Sequence, residues 1–295
     1  MNDKIEFRQI REFDGIISGT LLFIKQNFKP LLKSVFYLCG FFMLAGIISA
    51  VFTENEISGL SQNFEDGDYN ENVSSWSTLH MLRLVLTLVF MVLNYTALYT
   101  SVLSYVALYV EKGNIAPSVD EVWSYFKYYF FRVMWGGIVV SILWVICFVC
   151  CFVPGLYVTP ALFVFYGVIV LENQDFSTAF SRAFALVKNN WWITFATIFV
   201  TLVVTTLFTS ITLIPTYVII FGGYFYEKAE VLQQGFQIFI ALSQQLSQIF
   251  MIIPLVTTAF VYYSLVERKE SVGLTKRISE FGNGSNQVAQ TDEEY

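Results

Sequence analysis

Trp191–Leu213 reads WWITFATIFVTLVVTTLFTSITL, apolar all round, without a charged residue, and long enough to cross a bilayer as a helix. About 20 residues at ~1.5 Å rise cover the ~30 Å of hydrocarbon. Backbone N–H and C=O groups find no water there, so the segment must pair them internally, as a helix does. Four stretches without a charge in their core precede it, Leu31–Phe52 (with Lys33 at its edge), Leu84–Val110, Val133–Val153 and Leu156–Leu171, and Phe236–Val266 follows it. A barrel would alternate polar and apolar residues along each strand, and these runs do not. The fold class expected is an all-α integral membrane protein with six transmembrane helices.

Composition points the same way. Hydrophobic residues make up 56% of the 295 and charged residues only 14%, where a soluble domain carries about 25% charged. The net charge of −6 says less than its layout. The loop Thr53–Leu79 has no Lys or Arg but carries Glu54, Glu56, Glu65, Asp66, Asp68 and Glu71. Every basic residue except Arg83 and Lys228 falls on the other side of a six-span threading. The positive-inside rule makes that side cytoplasmic, with both termini inside. The expected location is a bacterial cytoplasmic (inner) membrane. No cleavable signal peptide is expected, since Ile48-Ser49-Ala50 is a poor cleavage site, so the first span serves as its own signal anchor.

Finer features are readable around the spans. The second and sixth exceed what crossing requires and must tilt, bend or project. Pro254 is expected to kink the sixth. Pro215–Tyr226, with Gly222-Gly223, reads as an interfacial or re-entrant piece. The six-span domain covers residues 1–270, and the polar, aperiodic residues 271–295 read as a disordered tail.

A repeat runs through the chain. Ile16–Leu31 is IISGTLLFIKQNFKPL, Ser118–Val133 is SVDEVWSYFKYYFFRV and Ala179–Thr194 is AFSRAFALVKNNWWIT. Aligned without gaps, they stack Lys25, Lys127 and Lys188, then Phe28, Phe130 and Trp191. Each copy is an amphipathic segment, a lysine, an aromatic cluster and a span. The chain therefore divides into three units, each an amphipathic helix on the cytoplasmic side followed by two spans. Such helices commonly anchor. Arg182 and Lys188 are also placed to reach anionic headgroups.

Polar residues inside spans are the best candidates for a site. Gln237, Gln244 and Gln248 share a helical face of the sixth span, beside Ser243, Gln245 and Ser247. Asn94 stands in the second span and Thr205 in the fifth. Buried amides in lipid seek partners on neighbouring helices. The Gln residues are expected to face the bundle, with fifth-span hydroxyls as partners, either as packing glue or as a polar groove made by Gln237, Gln244, Gln248, Asn94 and Thr205. Cys147 and Cys150 form a C-x-x-C beside Cys151, but the outer loops hold no second Cys pair to relay electrons, so they read as small apolar residues. His80 is the only histidine, too few for a zinc or iron centre. No catalytic motif occurs and no carboxylate lies inside a span. No catalytic residue, metal, cofactor or nucleic-acid partner is expected.

The stretch DFSTAFSRAFALVKNNWW (Asp175–Trp192) and the stretch Phe13–Lys29 resemble uncharacterised bacterial multi-pass families, and in particular the membrane domain that precedes some glycerophosphodiester phosphodiesterases. The resemblance covers Phe13–Arg268. It implies a helical membrane module without catalytic residues, and the soluble phosphodiesterase barrel has no counterpart in this sequence. The function expected is non-enzymatic: a module that binds or organises lipid or scaffolds a partner, with membrane lipids and other membrane proteins as partners. The alternative is a transporter or permease subunit for an uncharged or lipid-like solute, for which the mark would be a polar cavity between the second, fifth and sixth spans.

Overall fold

The computed structural model describes residues 4–65, 78–223 and 230–271. Every regular element in them is helical: α1 (Phe13–Glu65), α2 (Thr78–Glu111), α3 (Val119–Cys150), α4 (Phe152–Leu171), α5 (Phe176–Val187), α6 (Trp191–Gly223), α7 (Glu230–Ser247) and, after a 3₁₀ turn at Gln248–Met251, α8 (Ile252–Glu270). Six of these segments are long and apolar enough to cross a membrane, and α7, the turn and α8 together make the sixth. The chain is an all-α, multi-pass membrane protein. Large apolar side chains such as Leu88, Trp135, Leu207 and Ile211 stand exposed on the outer faces, where lipid removes them from water.

Local chemistry sets the helix ends. Ser118 caps α3 in a reciprocal box with Glu121. α2 stops where Gly113 and Asn114 turn left-handed and their N–H groups close onto the Val110 and Tyr109 carbonyls. Asn173 ends α4 in the same backbone region. Pro254, expected to kink the sixth span, stands in the first turn of α8, just after the 3₁₀ turn that follows α7. It cannot donate to the carbonyl four residues back, and the 3₁₀ turn fits in just ahead of it.

Three boundaries differ from expectation. α6 runs through Pro215 to Gly223, so Pro215–Gly223 continues the span, and residues 224–229 lie outside the described residues. Pro215 removes one backbone bond, to the carbonyl four residues back, and a helix of this length keeps its course on the others. α1 likewise continues past its span to Glu65, into the acidic loop. Of the three amphipathic segments only the last is a separate helix, α5. The first two are the opening turns of α1 and α3: α1 runs on through Pro30, and no helix-breaking residue stands between Phe130 and Val133. The tail after Ser271 lies outside the described residues.

The repeat is visible in the packing. Thr20, Val122 and Ala183 are buried in register, as are Leu31, Val133 and Thr194, while Lys25, Lys127 and Lys188 are all exposed. The closing helices of the three units, α2, α4 and α8, touch one another. Each opening segment leans on the closing helix of the unit before it. Lys112, just past α2, pairs with Glu121 of α3 at 2.7 Å. Phe176 of α5 meets Phe165 of α4. The start of α1 closes the ring on α8, where the Thr20 and Thr257 hydroxyls lie 3.2 Å apart. α5 buries Ala179, Ala183, Leu186 and Val187 within the protein.

One contact has no counterpart in the sequence reading. The segment before α1 carries Phe7 into the bundle, 1% exposed, stacked on Phe260 at 4.0 Å and edge-on to Phe23, Tyr109 and Tyr263. Arg11 follows with its guanidinium over the Phe260 ring at 5.4 Å, and burial lowers its pKa, opposed by Glu6.

Candidate functional site

The intramembrane amides meet at the junction of α1, α2 and α7. Asn94 is buried and its Nδ2 donates to Gln245 Oε1 at 2.9 Å and to Gln248 Oε1 at 2.8 Å. α1 makes room through Gly46. A Cβ at that position would lie 2.8 Å from Gln245 Nε2, closer than real Cβ atoms come. Asn94 Oδ1 is left without a hydrogen-bond partner among the described residues.

The expected stripe is thus shifted by one residue. The face turned inward carries Ala241, Gln245 and Gln248, at spacings of four and three, while Gln244 is exposed. Two adjacent glutamines leave the phase of a stripe open, and the bundle settles it on the second. The Gln237 side chain lies outside the described residues. Thr205 is buried, but its hydroxyl bonds the Thr201 carbonyl, and Thr194, Thr197 and Thr201 likewise bond the carbonyl four residues back. Those hydroxyls satisfy themselves within α6. The glutamines instead take their partner from α2. Each interhelical amide bond of this kind contributes about 0.6–2 kcal/mol. A double-mutant cycle of Asn94→Leu and Gln248→Leu, read by thermal unfolding in detergent, is expected to give a coupling in that range. Strict additivity would show that the pair does not interact.

The cysteines stand free. Cys39 is buried with its sulfur 3.5 Å from the Ser101 hydroxyl, Cys147 is partly buried, and Cys150 and Cys151 are exposed. The His80 side chain lies outside the described residues. Among the described residues no group of three or more metal-ligating side chains comes together.

Charge gathers at the far end of α8. Arg182 of α5 grips Glu172 through Nε and Nη2 at 2.9–3.1 Å and Glu270 through Nη1 at 2.6 Å. Tyr262 donates to the same Glu172 carboxylate at 2.8 Å. The hydrogen bonds from Glu270 and then Glu172 raise the Arg182 pKa above its ordinary value, against burial. Arg182 is therefore tied into the protein and does not reach outward to a headgroup.

Beside this clasp lies an open cavity of about 680 Å³, where α5 ends, α6 begins, α8 ends and α4 starts. Lys188 and Arg268 bring positive charge to it, Asn189 and Asn190 bring amides, and Tyr157, Trp191 and Trp192 bring aromatic faces. Val153, Leu156 and Ile193 form an apolar side. The wall is organised: Trp191 Nε1 donates to the Tyr157 carbonyl at 2.8 Å, and the two rings stack at 5.6 Å. Arg268 Nη2 donates to the Arg11 carbonyl at 2.9 Å. Trp192 is 78% exposed. A volume of this size suits a small organic group or part of a lipid. The Lys-aromatic signal of the third repeat marks half of this wall in the sequence. Arg268 and Tyr157 carry no such signal, because only folding brings them there. Compared with known proteins, the chain matched no family model, no curated protein and no solved structure.

Proposed function

We propose that this chain is a non-enzymatic membrane module that binds or organises lipid, held in a bacterial cytoplasmic membrane with both termini cytoplasmic. The observation that carries the reading is the cavity between α4, α5, α6 and α8. Its lining is polar and basic at Lys188, Asn189, Asn190 and Arg268 and apolar at Val153, Leu156 and Ile193. A phospholipid divides its chemistry in the same way. Extraction in mild detergent followed by native mass spectrometry tests it. The expected result is phospholipid that stays bound through detergent removal. A chain that emerges lipid-free from every mild detergent contradicts the reading.

The topology is tested separately. In a cysteine-free background, Ser61→Cys is expected to react with an impermeant maleimide added outside and Ser177→Cys only after the membrane is opened. Labelling of Ser61→Cys from the cytoplasmic face alone reverses the orientation. The second reading is a permease subunit for an uncharged or lipid-like solute, favoured by the half-buried Asn94–Gln245–Gln248 cluster with its unpartnered Asn94 Oδ1. Solute uptake into proteoliposomes that falls with Asn94→Leu would support it over lipid organisation.

A further inference from the structure

We infer that the cavity at the start of α6 is selective: it takes the phosphate of an anionic phospholipid, held between Lys188 and Arg268, with the beginning of an acyl chain along Leu156 and Ile193. The inference rests on the lipid-binding reading and adds to it the class of headgroup.

The sign of the charge is what distinguishes this cavity. Its two ionisable cations come from different elements, Lys188 from the end of α5 and Arg268 from the last turn of α8, and no carboxylate lines it. Arg182, beside the cavity, is already neutralised by Glu172 and Glu270. Lys188 and Arg268 form no ion pair among the described residues, and Arg268 spends one N–H on the Arg11 carbonyl, which fixes its position and leaves its charge uncompensated. A guanidinium offers several N–H donors in a planar fork suited to phosphate oxygens, and an ammonium adds a compact charge beside it. Asn189 and Asn190 supply neutral hydrogen-bonding groups in the same wall, suited to the hydroxyls of a glycerol-type headgroup. The quaternary ammonium of a zwitterionic lipid would meet two like charges instead. Free phosphate would satisfy the cations but leave the apolar side against water, so the lipid is the better match.

The test uses the full chain, delipidated in detergent and titrated with phosphatidylglycerol or phosphatidylcholine of identical acyl chains, with occupancy read by native mass spectrometry. A basic side chain near an anionic lipid surface contributes roughly fivefold in affinity, so two are expected to favour phosphatidylglycerol by about thirtyfold. Lys188→Gln with Arg268→Gln is expected to erase the preference and keep phosphatidylcholine binding, while Lys188→Arg with Arg268→Lys keeps the preference and shows that charge, not a fold defect, is responsible. Equal affinity of the wild-type chain for both lipids overturns the selectivity and leaves the lipid-binding reading standing. A preference that survives in the double Gln variant, with the fold intact by circular dichroism, places the selectivity elsewhere and overturns the assignment. Displacement of phosphatidylglycerol by millimolar inorganic phosphate overturns the choice of a lipid as the ligand. Binding of neither lipid by the folded wild-type chain overturns the inference together with the reading it rests on.

Discussion

Phe7→Ala is expected to lower the stability of the folded chain by about 3–5 kcal/mol, the usual cost of emptying a buried phenylalanine site. The ring is 1% exposed and lies against four aromatic neighbours from α1, α2 and α8. It is contributed by the short non-helical segment before α1, which bends at Phe7, so those three helices lose a shared anchor at once. Aromatic pairs add about 0.5–1.5 kcal/mol beyond area, which places the loss toward the upper end. The cavity left behind cannot close easily, because Phe23 and Phe260 are themselves fully buried and packed on other partners. Thermal unfolding in detergent measures the effect. Phe28→Ala is the matched control: that ring is 53% exposed, and its loss is expected to change stability by about 0.5 kcal/mol or less. Equal effects of the two substitutions would show that the segment before α1 does not dock.

Arg182→Ala is expected to be the second costly change, on the order of 2 kcal/mol. Removing one partner of a fully buried pair costs about 3–5 kcal/mol, because the remaining charges stay desolvated. Here the side chains keep 27% exposure at Arg182, 16% at Glu172 and 35% at Glu270, so water screens part of the loss and the figure is reduced accordingly. Arg182→Lys is expected to recover little, since one ammonium cannot reproduce the two parallel bonds to Glu172 and reach Glu270 as well. Arg182→Ala combined with Glu172→Gln and Glu270→Gln removes the stranded charges and is expected to recover most of the stability. In contrast, the exposed pair of Lys112 and Glu121 is expected to contribute little when broken. If the triple variant is no more stable than Arg182→Ala, uncompensated charge is not the cause.

The spans were legible because a long uncharged apolar run has one main use, to fill the thickness of a bilayer. The repeat was legible because Lys25, Lys127 and Lys188 head the same aromatic step, and their shared exposure follows from each pointing off the end of an amphipathic face. Continuity was harder to read. Pro30 and Pro215 both sit inside unbroken helices, since a long helix with many other backbone bonds survives the loss of one. The phase of the glutamine stripe could not be fixed, because Gln244 and Gln245 are adjacent and only the notch at Gly46 selects the second. Phe7 carried no signal: a single aromatic among charged residues has no period, and its burial is decided by three helices that meet elsewhere. The cavity was half legible. Lys188-Asn189-Asn190-Trp191-Trp192 stands out in the sequence, whereas Arg268 looks like any basic residue flanking a last span until α8 brings it alongside.

The claim that this chain holds a lipid in that cavity meets its most direct test in a filled variant. Leu156 lines the apolar side, and Leu156→Trp places bulk where an acyl chain would lie without touching the charges. Native mass spectrometry of wild-type and variant chains, extracted and purified in parallel, compares the lipid each retains. The expected result is a wild-type chain with bound phospholipid and a folded variant from which that lipid is lost. Equal retention by both folded chains would contradict it, because the bound lipid would then sit somewhere other than the site between α4, α5, α6 and α8.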